Sequence, residues 1–226
     1  MTRPARLPPP PSAPPARDET HPSRRAVLDA AARLFRHQGY AATSLRDIAE
    51  VAGMQAGSLY YHFDSKEEIV AEVLRTGIET VLHAVEAAVR EARARGVGGS
   101  GLLEVAIRAH LESLLRVSDY TSADVRIYAH VPPAIRRQNL ALRDRYEEVW
   151  RRLLAEAGRR GDLRPGVDLQ ALRLFLLGAM NGALEWYRPG QKSIERLARD
   201  LSGYLLHGIA AGSVPARRVR LVRPDR

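Results

Sequence analysis

The sequence predicts an all-α protein built as a compact N-terminal three-helix unit followed by a larger helical domain. Three observations predict it. From Ser23 to about Ala211 apolar residues recur at three- and four-residue steps, and no period-2 run is long enough for a convincing strand. Serines followed three residues later by an acid, Ser44 with Asp47 and Ser65 with Glu68, have the form of capping boxes. Gly39 and Gly53 stand where the first two helical patterns run out.

The first helix runs from Ser23 to about Gln38, with Val27, Leu28, Ala31, Leu34 and Phe35 on one stripe. A short second helix opens at Ser44 and turns Leu45, Ile48, Ala49 and Ala52 inward. The third, about Ala56 to His62, is anchored only by Leu59 and Phe63. A long helix follows from Ser65 to about Arg95, and Gly96–Gly101 forms a joint that lacks the lysine and strand of a phosphate loop. Further helices are expected at Leu102–Val117, Ser122–His130, Ala134–Arg159 after the break at Pro132-Pro133, Asp168–Tyr187 and Ile194–Ala211.

The 226 residues, 45% apolar and 27% charged, suffice for one or two domains with real cores. There is no cysteine, which excludes thiol catalysis, disulfides and cysteine-ligated metals. The N-terminus has no signal-peptide pattern, and the most apolar run, Leu174 to Leu184, is too short to cross a bilayer. A soluble, cytoplasmic protein is expected. Eight of the 14 prolines fall within residues 1–22, which read as a disordered tail.

The net charge is +9 and the pI near 10.4, which favours a polyanionic partner, nucleic acid before membrane. The tail 212–226 supplies four of those charges, whereas Ser23–Lys66 nets only +2. Charge therefore points to a class of partner and not to a site.

The spacing does point to one. Three short helices with a glycine turn between the second and third form a helix-turn-helix, in which the first two must bury the third on one side and leave its other face to a major groove about 12 Å wide. With Leu59 and Phe63 inward, Gln55, Ala56, Gly57, Ser58, Tyr60, Tyr61 and His62 remain on or beside the outer face. Two tyrosines, a serine and a histidine together suit phosphate and base-edge contacts, and Gly57 permits close approach.

The spaced elements Ala42–Ala49, Ala52-Gly53, Gly57–Phe63 and Ser65–Glu68 resemble the TetR family of transcriptional regulators. The resemblance implies a DNA-binding domain at 23–82, an effector-binding and dimerisation domain at 83–211, a homodimer, and double-stranded DNA with a palindromic operator as partner. It matches Arg46 to a base contact, Ser44 and Lys66 to phosphate contacts, and Gln55–His62 to the recognition helix. Competing readings make Tyr60 a packing residue, Arg46 a solvated helix charge and Lys66 a plain surface charge.

In the C-terminal half, Asp168–Tyr187 is apolar nearly all round, so a second subunit is expected to cover one side, with Gly178, Gly182 and Leu205 at the interface. His110, Tyr146, Trp150 and Asn181 are polar or amphipathic groups set into apolar stripes. Each is a candidate effector contact or a satisfied core group. Glu185–Gly190 resembles a segment of TetR members that respond to acyl-coenzyme A thioesters, regulators of fatty-acid and sterol breakdown among them. That resemblance implies a small hydrophobic effector, an acyl-CoA, with Trp186 and Arg188 at its site. The alternatives are a regulator of an efflux pump that senses hydrophobic drugs and a sequence-indifferent architectural DNA-binding protein. Neither a catalytic motif nor a cofactor or metal motif is present, so no enzyme is expected.

Overall fold

The computed structural model describes residues 22–208. The proline-rich segment before them and the arginine-rich tail after them lie outside the described residues. Ten α-helices run in order among the described residues: α1 Pro22–Gln38, α2 Leu45–Val51, α3 Ala56–Leu59, α4 Lys66–Ala94, α5 Ser100–Glu112, α6 Asp119–Ile127, α7 Pro133–Gln138, α8 Leu140–Arg159, α9 Leu169–Trp186 and α10 Ile194–His207. No strand occurs among the described residues.

The local signals act as the sequence predicts at α2 and in part at α4, where the Glu68 carboxylate accepts from the Asp64 N–H and not from that of Ser65. Ser44 Oγ accepts from the Asp47 N–H at 3.1 Å while Asp47 accepts from the Ser44 N–H at 2.9 Å, a complete capping box. Ser65 caps α4 by accepting from the Glu68 N–H. Gly53, between α2 and α3, has φ +70°, which a side-chain-bearing residue adopts at a cost.

Three expected helices are corrected. The third is a single turn, Ala56–Leu59, after which Tyr60–His62 continue as a turn that still buries Phe63. The helix expected over Leu102–Val117 widens into a π-helical turn at Ser113–Val117, where the Ser122 hydroxyl takes the Leu114 carbonyl at 2.5 Å. The helix expected over Ala134–Arg159 is two, α7 and α8, hinged at Asn139, whose side-chain amide donates to the Ala71 carbonyl.

Two apolar cores form, and α4 serves both. Ile69, Val70, Val73 and Leu74 pack with α1, α2, Leu59 and Phe63, and Tyr120, Ala123 and Ile127 of α6 close the same core. From Ile78 to Ala92 the same helix packs instead with α5, α8, α9 and α10. The change falls at Gly77. A Cβ there would lie 2.5 Å from the Tyr120 carbonyl oxygen and 2.7 Å from Asp124 Cβ, so α4 and α6 touch backbone to backbone.

Polar ties fasten α1 across this joint. Arg24 forks onto Glu72 at 2.9 and 2.6 Å and lies over the Phe63 ring. The Tyr120 hydroxyl donates to Asp29 at 2.7 Å, and Arg36 pairs with Asp119 at 2.5 Å.

The α9 helix buries only one face, through Leu176, Met180 and Ala183. On the other, Phe175 is 77% exposed, with Leu174 and Trp186 at 57% each. Gly178 lies on that open face and Gly182 at its edge, while Leu205 packs in part against the subunit's own core.

Gly77→Ala is expected to destabilise the fold by about 1–3 kcal/mol, because the atom it meets is backbone and cannot swing away. A chemical-denaturation midpoint unchanged from the wild type would contradict the close crossing.

Candidate nucleic-acid interface and ligand cavities

The outward face around α3 is built by two fully buried anchors. Leu59 and Phe63 have no exposed surface, whereas Tyr60 is 57% and Tyr61 71% exposed. The packing reading of Tyr60 is thereby corrected. Gln55, Ala56, Gly57 and Ser58 are exposed alongside, and His62 is half-buried, edge-on to the Tyr61 ring. No atom lies within 4 Å of a Cβ built on Gly57, so a large partner can approach its backbone. Arg46 is exposed on α2. Ser44 uses its oxygen as acceptor for the cap, which leaves its O–H to donate outward.

Lys66 has a structural task besides. Its Nζ donates to the Tyr40 carbonyl at 2.5 Å and sits 4.1 Å over the Tyr40 ring, which ties the α1–α2 turn to the start of α4. Partial burial lowers its pKa from the ordinary lysine value. Two of its three N–H donors remain.

The six effector candidates separate. His110, Tyr146 and Asn181 meet at an inner cavity of about 270 Å³ between α4, α5, α6, α8 and α9. The Tyr146 hydroxyl lies 2.5 Å from His110 Nδ1, and His110 Nε2 lies 3.1 Å from Asn181 Oδ1. Trp150 packs edge-on against both rings behind this chain and does not line the cavity. Its buried Nε1 has no partner of normal hydrogen-bond geometry among the described residues. Burial pushes the His110 imidazole down to about 4, against a smaller opposing push from its bond to Asn181, and pushes the Tyr146 hydroxyl up. At neutral pH both are uncharged.

Trp186 and Arg188 lie elsewhere, in an outer groove of about 470 Å³ between α9 and α10, beside Tyr187, Lys192 and Tyr204. Arg188 donates to the Glu185 and Tyr187 carbonyls at the end of α9, and Lys192 pairs with Asp200 at 2.7 Å.

Sequence reasoning missed Asp124 and Arg143, which also line the inner cavity. They form an ion pair, and Arg143 lies over the Tyr128 ring. Burial pushes the Asp124 carboxyl up to about 7, against the pull of Arg143. Asp124 stands on the face of α6 that the apolar pattern turns inward, which is the signal that marks it. Nothing separates Arg143 from the many other arginines of the chain.

Comparison with known proteins follows the same division. Residues 27–73 match the family model for bacterial regulatory proteins of the tetR family, and residues 102–209 match that of a tetracyclin repressor-like C-terminal domain. The chain belongs to the TetR family. This member is 33% identical over 206 residues to the HTH-type transcriptional repressor KstR2 of Rhodococcus jostii, covering 88% of its own length and 97% of the relative's. Among solved structures it is similar to the TetR regulator PfmR of Thermus thermophilus, with TM-score 0.70, 29% identity and coverage of 82% and 99% of the two chains. It is also similar to the ketosteroid transcriptional regulator KstR2 of Mycobacterium tuberculosis, with TM-score 0.67, 27% identity and coverage of 86% and 98%. The protein is therefore a DNA-binding transcriptional regulator, as these relatives are. A near full-length match to KstR2 does not favour the efflux-pump reading. No helix among the described residues is long and apolar enough to cross a membrane.

The two buried titrating groups act in opposite directions on stability. His110 has a folded pKa below its unfolded value of 6.5, so its contribution is lost as pH falls from about 6.5 to about 4. Asp124 has a folded pKa above its unfolded 3.8, so stability is gained as pH falls from about 7 toward 4. Asp124→Asn is expected to leave a protein that weakens steadily over that range, and His110→Gln one that strengthens. Denaturation midpoints that do not move with pH in either variant would refute the burial argument.

Proposed function

We propose that the protein is a homodimeric cytoplasmic repressor that leaves a palindromic operator when an acyl-CoA thioester binds. The observation that carries the DNA half is the exposed face of Tyr60, Tyr61, Ser58 and Gln55 over the buried pair Leu59 and Phe63, with Arg46 exposed on the preceding helix. Arg46 and Tyr60 read base edges. The hydroxyl of Ser44 and the remaining donors of Lys66 bind phosphates, and Ala56, Gly57 and His62 complete the surface. Repression follows the relative named KstR2, which is itself a repressor.

Dimerisation is supported by α9. An open face with Leu174, Phe175 and Trp186 exposed exceeds scattered surface apolarity, and Gly178 and Gly182 allow a second backbone to come close. The effector reading rests on the Glu185–Gly190 segment and on what surrounds it. The outer groove joins aromatic walls, Trp186 and Tyr204, to Arg188 and Lys192, whose spare donors suit the phosphates of a coenzyme A. The inner cavity with His110, Tyr146 and Asn181 takes an apolar group.

Release is a population shift. Two recognition segments of a dimer must match successive major grooves about 34–36 Å apart, and a ligand that prefers another spacing weakens DNA binding by as much as DNA weakens its own.

Arg46→Ala and Tyr60→Ala are each expected to weaken operator binding by about 1–3 kcal/mol while leaving the dimer and the helical circular dichroism intact. Normal operator affinity in both would sink the assignment. Gly178→Leu should turn the dimer into monomers without harming the subunit, since a Cβ there meets nothing within 4 Å. Sedimentation showing a wild-type monomer at micromolar concentration would exclude the interface. In an anisotropy titration on operator DNA, long-chain or cyclic acyl-CoAs should release the protein while free coenzyme A and free acids do not. Release by hydrophobic drugs and by none of the thioesters would restore the efflux reading.

A further inference from the structure

The polar chain at the inner cavity has a direction. His110 is buried and neutral, so it carries one N–H. Its Nε2 faces Asn181 Oδ1, an acceptor, so the proton sits on Nε2. Nδ1 is then the acceptor, and the un-ionised Tyr146 hydroxyl donates to it. Tyr146 and His110 thus hold the Asn181 amide with its oxygen turned to the imidazole. Its NH₂ group has no hydrogen-bond partner among the described residues, although Asn181 lines the cavity. The cavity therefore offers a neutral donor to whatever enters.

Charge selects what that ligand is. Besides Arg143, the cavity is lined by Asp124, Asp144 and Glu147. Arg143 pairs with Asp124 through one terminal nitrogen and its buried Nε has no partner among the described residues, but three carboxylates against this one guanidinium make the lining unfavourable to an anionic group. Of the remaining walls, Ile78, Val81, Val125, Leu140 and Leu177 are apolar, while Thr121, whose hydroxyl donates to the Gly77 carbonyl, and Tyr128 add hydroxyls. An acceptor that fits is an uncharged oxygen on a hydrocarbon body.

We propose that the inner cavity is a subsite for a carbonyl oxygen carried on the apolar group of the effector, with Asn181 as the specificity-determining donor and His110 and Tyr146 as positioning residues. The proposal rests on the effector reading above only for the thioester that delivers the group. A plain acyl chain leaves the Asn181 NH₂ desolvated and unpaired, whereas an oxo group pairs it. One neutral hydrogen bond of this kind is worth about tenfold in affinity.

The test uses the full chain on operator DNA with decanoyl-CoA, 9-oxodecanoyl-CoA and 9-carboxynonanoyl-CoA, and calorimetry of 2-undecanone with the DNA-free protein. The 9-oxo thioester should release DNA at about one-tenth the concentration that decanoyl-CoA requires, with the carboxy thioester weakest. Asn181→Leu should abolish that preference, so that the oxo and the plain thioester release DNA at the same concentration. Tyr146→Phe should reduce it as well, because the imidazole then loses the donor that fixes its tautomer and the amide is free to turn over. Equal release by all three thioesters, a preference for the carboxy thioester, or a preference that survives Asn181→Leu would overturn the subsite and leave the thioester reading standing. If no thioester releases DNA, that reading fails and 2-undecanone decides the subsite. Binding that weakens at least fivefold in Asn181→Leu sustains it, and binding that is absent or unchanged overturns it.

Discussion

The crossing of α4 and α6 at Gly77 is the constraint on which the rest of the structure depends. With no Cβ at that position, the Tyr120 carbonyl and the Asp124 side chain can lie directly against the α4 backbone. Because α4 contributes to both cores and α6 closes the first while lining the inner cavity, neither can move without the other. Packed interiors do not deform smoothly, so a wedge at the cavity is passed on as a shift of helices. The ties from Asp119 and Tyr120 to Arg36 and Asp29 carry such a shift into α1, against which the reading face is packed.

The electrostatics of the two ends differ in kind. At the candidate reading face, serine and tyrosine hydroxyls and an arginine stay near water beside a half-buried lysine, a set suited to a polyanion whose phosphates position the protein. Inside, every strongly shifted group is shifted by burial, and the Tyr146–His110–Asn181 chain stays uncharged. A neutral chain of this sort avoids the large cost of a buried ion while still presenting a directed donor.

Much of the fold was legible because its signals are local. The capping box at Ser44, the turn glycine at Gly53 and the anchors Leu59 and Phe63 lie within a few residues of each other, and they define the helix-turn-helix without reference to anything distant. The break at Asn139 was not legible, since its reason is a contact with Ala71, far away in sequence. The π-turn at Ser113–Val117 depends in the same way on Ser122. For the candidate effector site, residue type picks out His110, Tyr146 and Asn181, but only the packing of α5, α8 and α9 shows that they form one chain and that Trp186 and Arg188 belong to another groove. The apolar girth of α9 predicts a covering partner, while the choice of which face stays open required the neighbouring helices.

The central claim is that the shared helix α4 and its crossing with α6 make the reading unit and the effector domain one cooperative body. Scanning calorimetry of the protein tests it most directly, without any ligand. One body predicts a single transition whose calorimetric and van't Hoff enthalpies agree. Two separate transitions, one for the core around Phe35, Leu59 and Phe63 and a second for the core around Trp150, would contradict it.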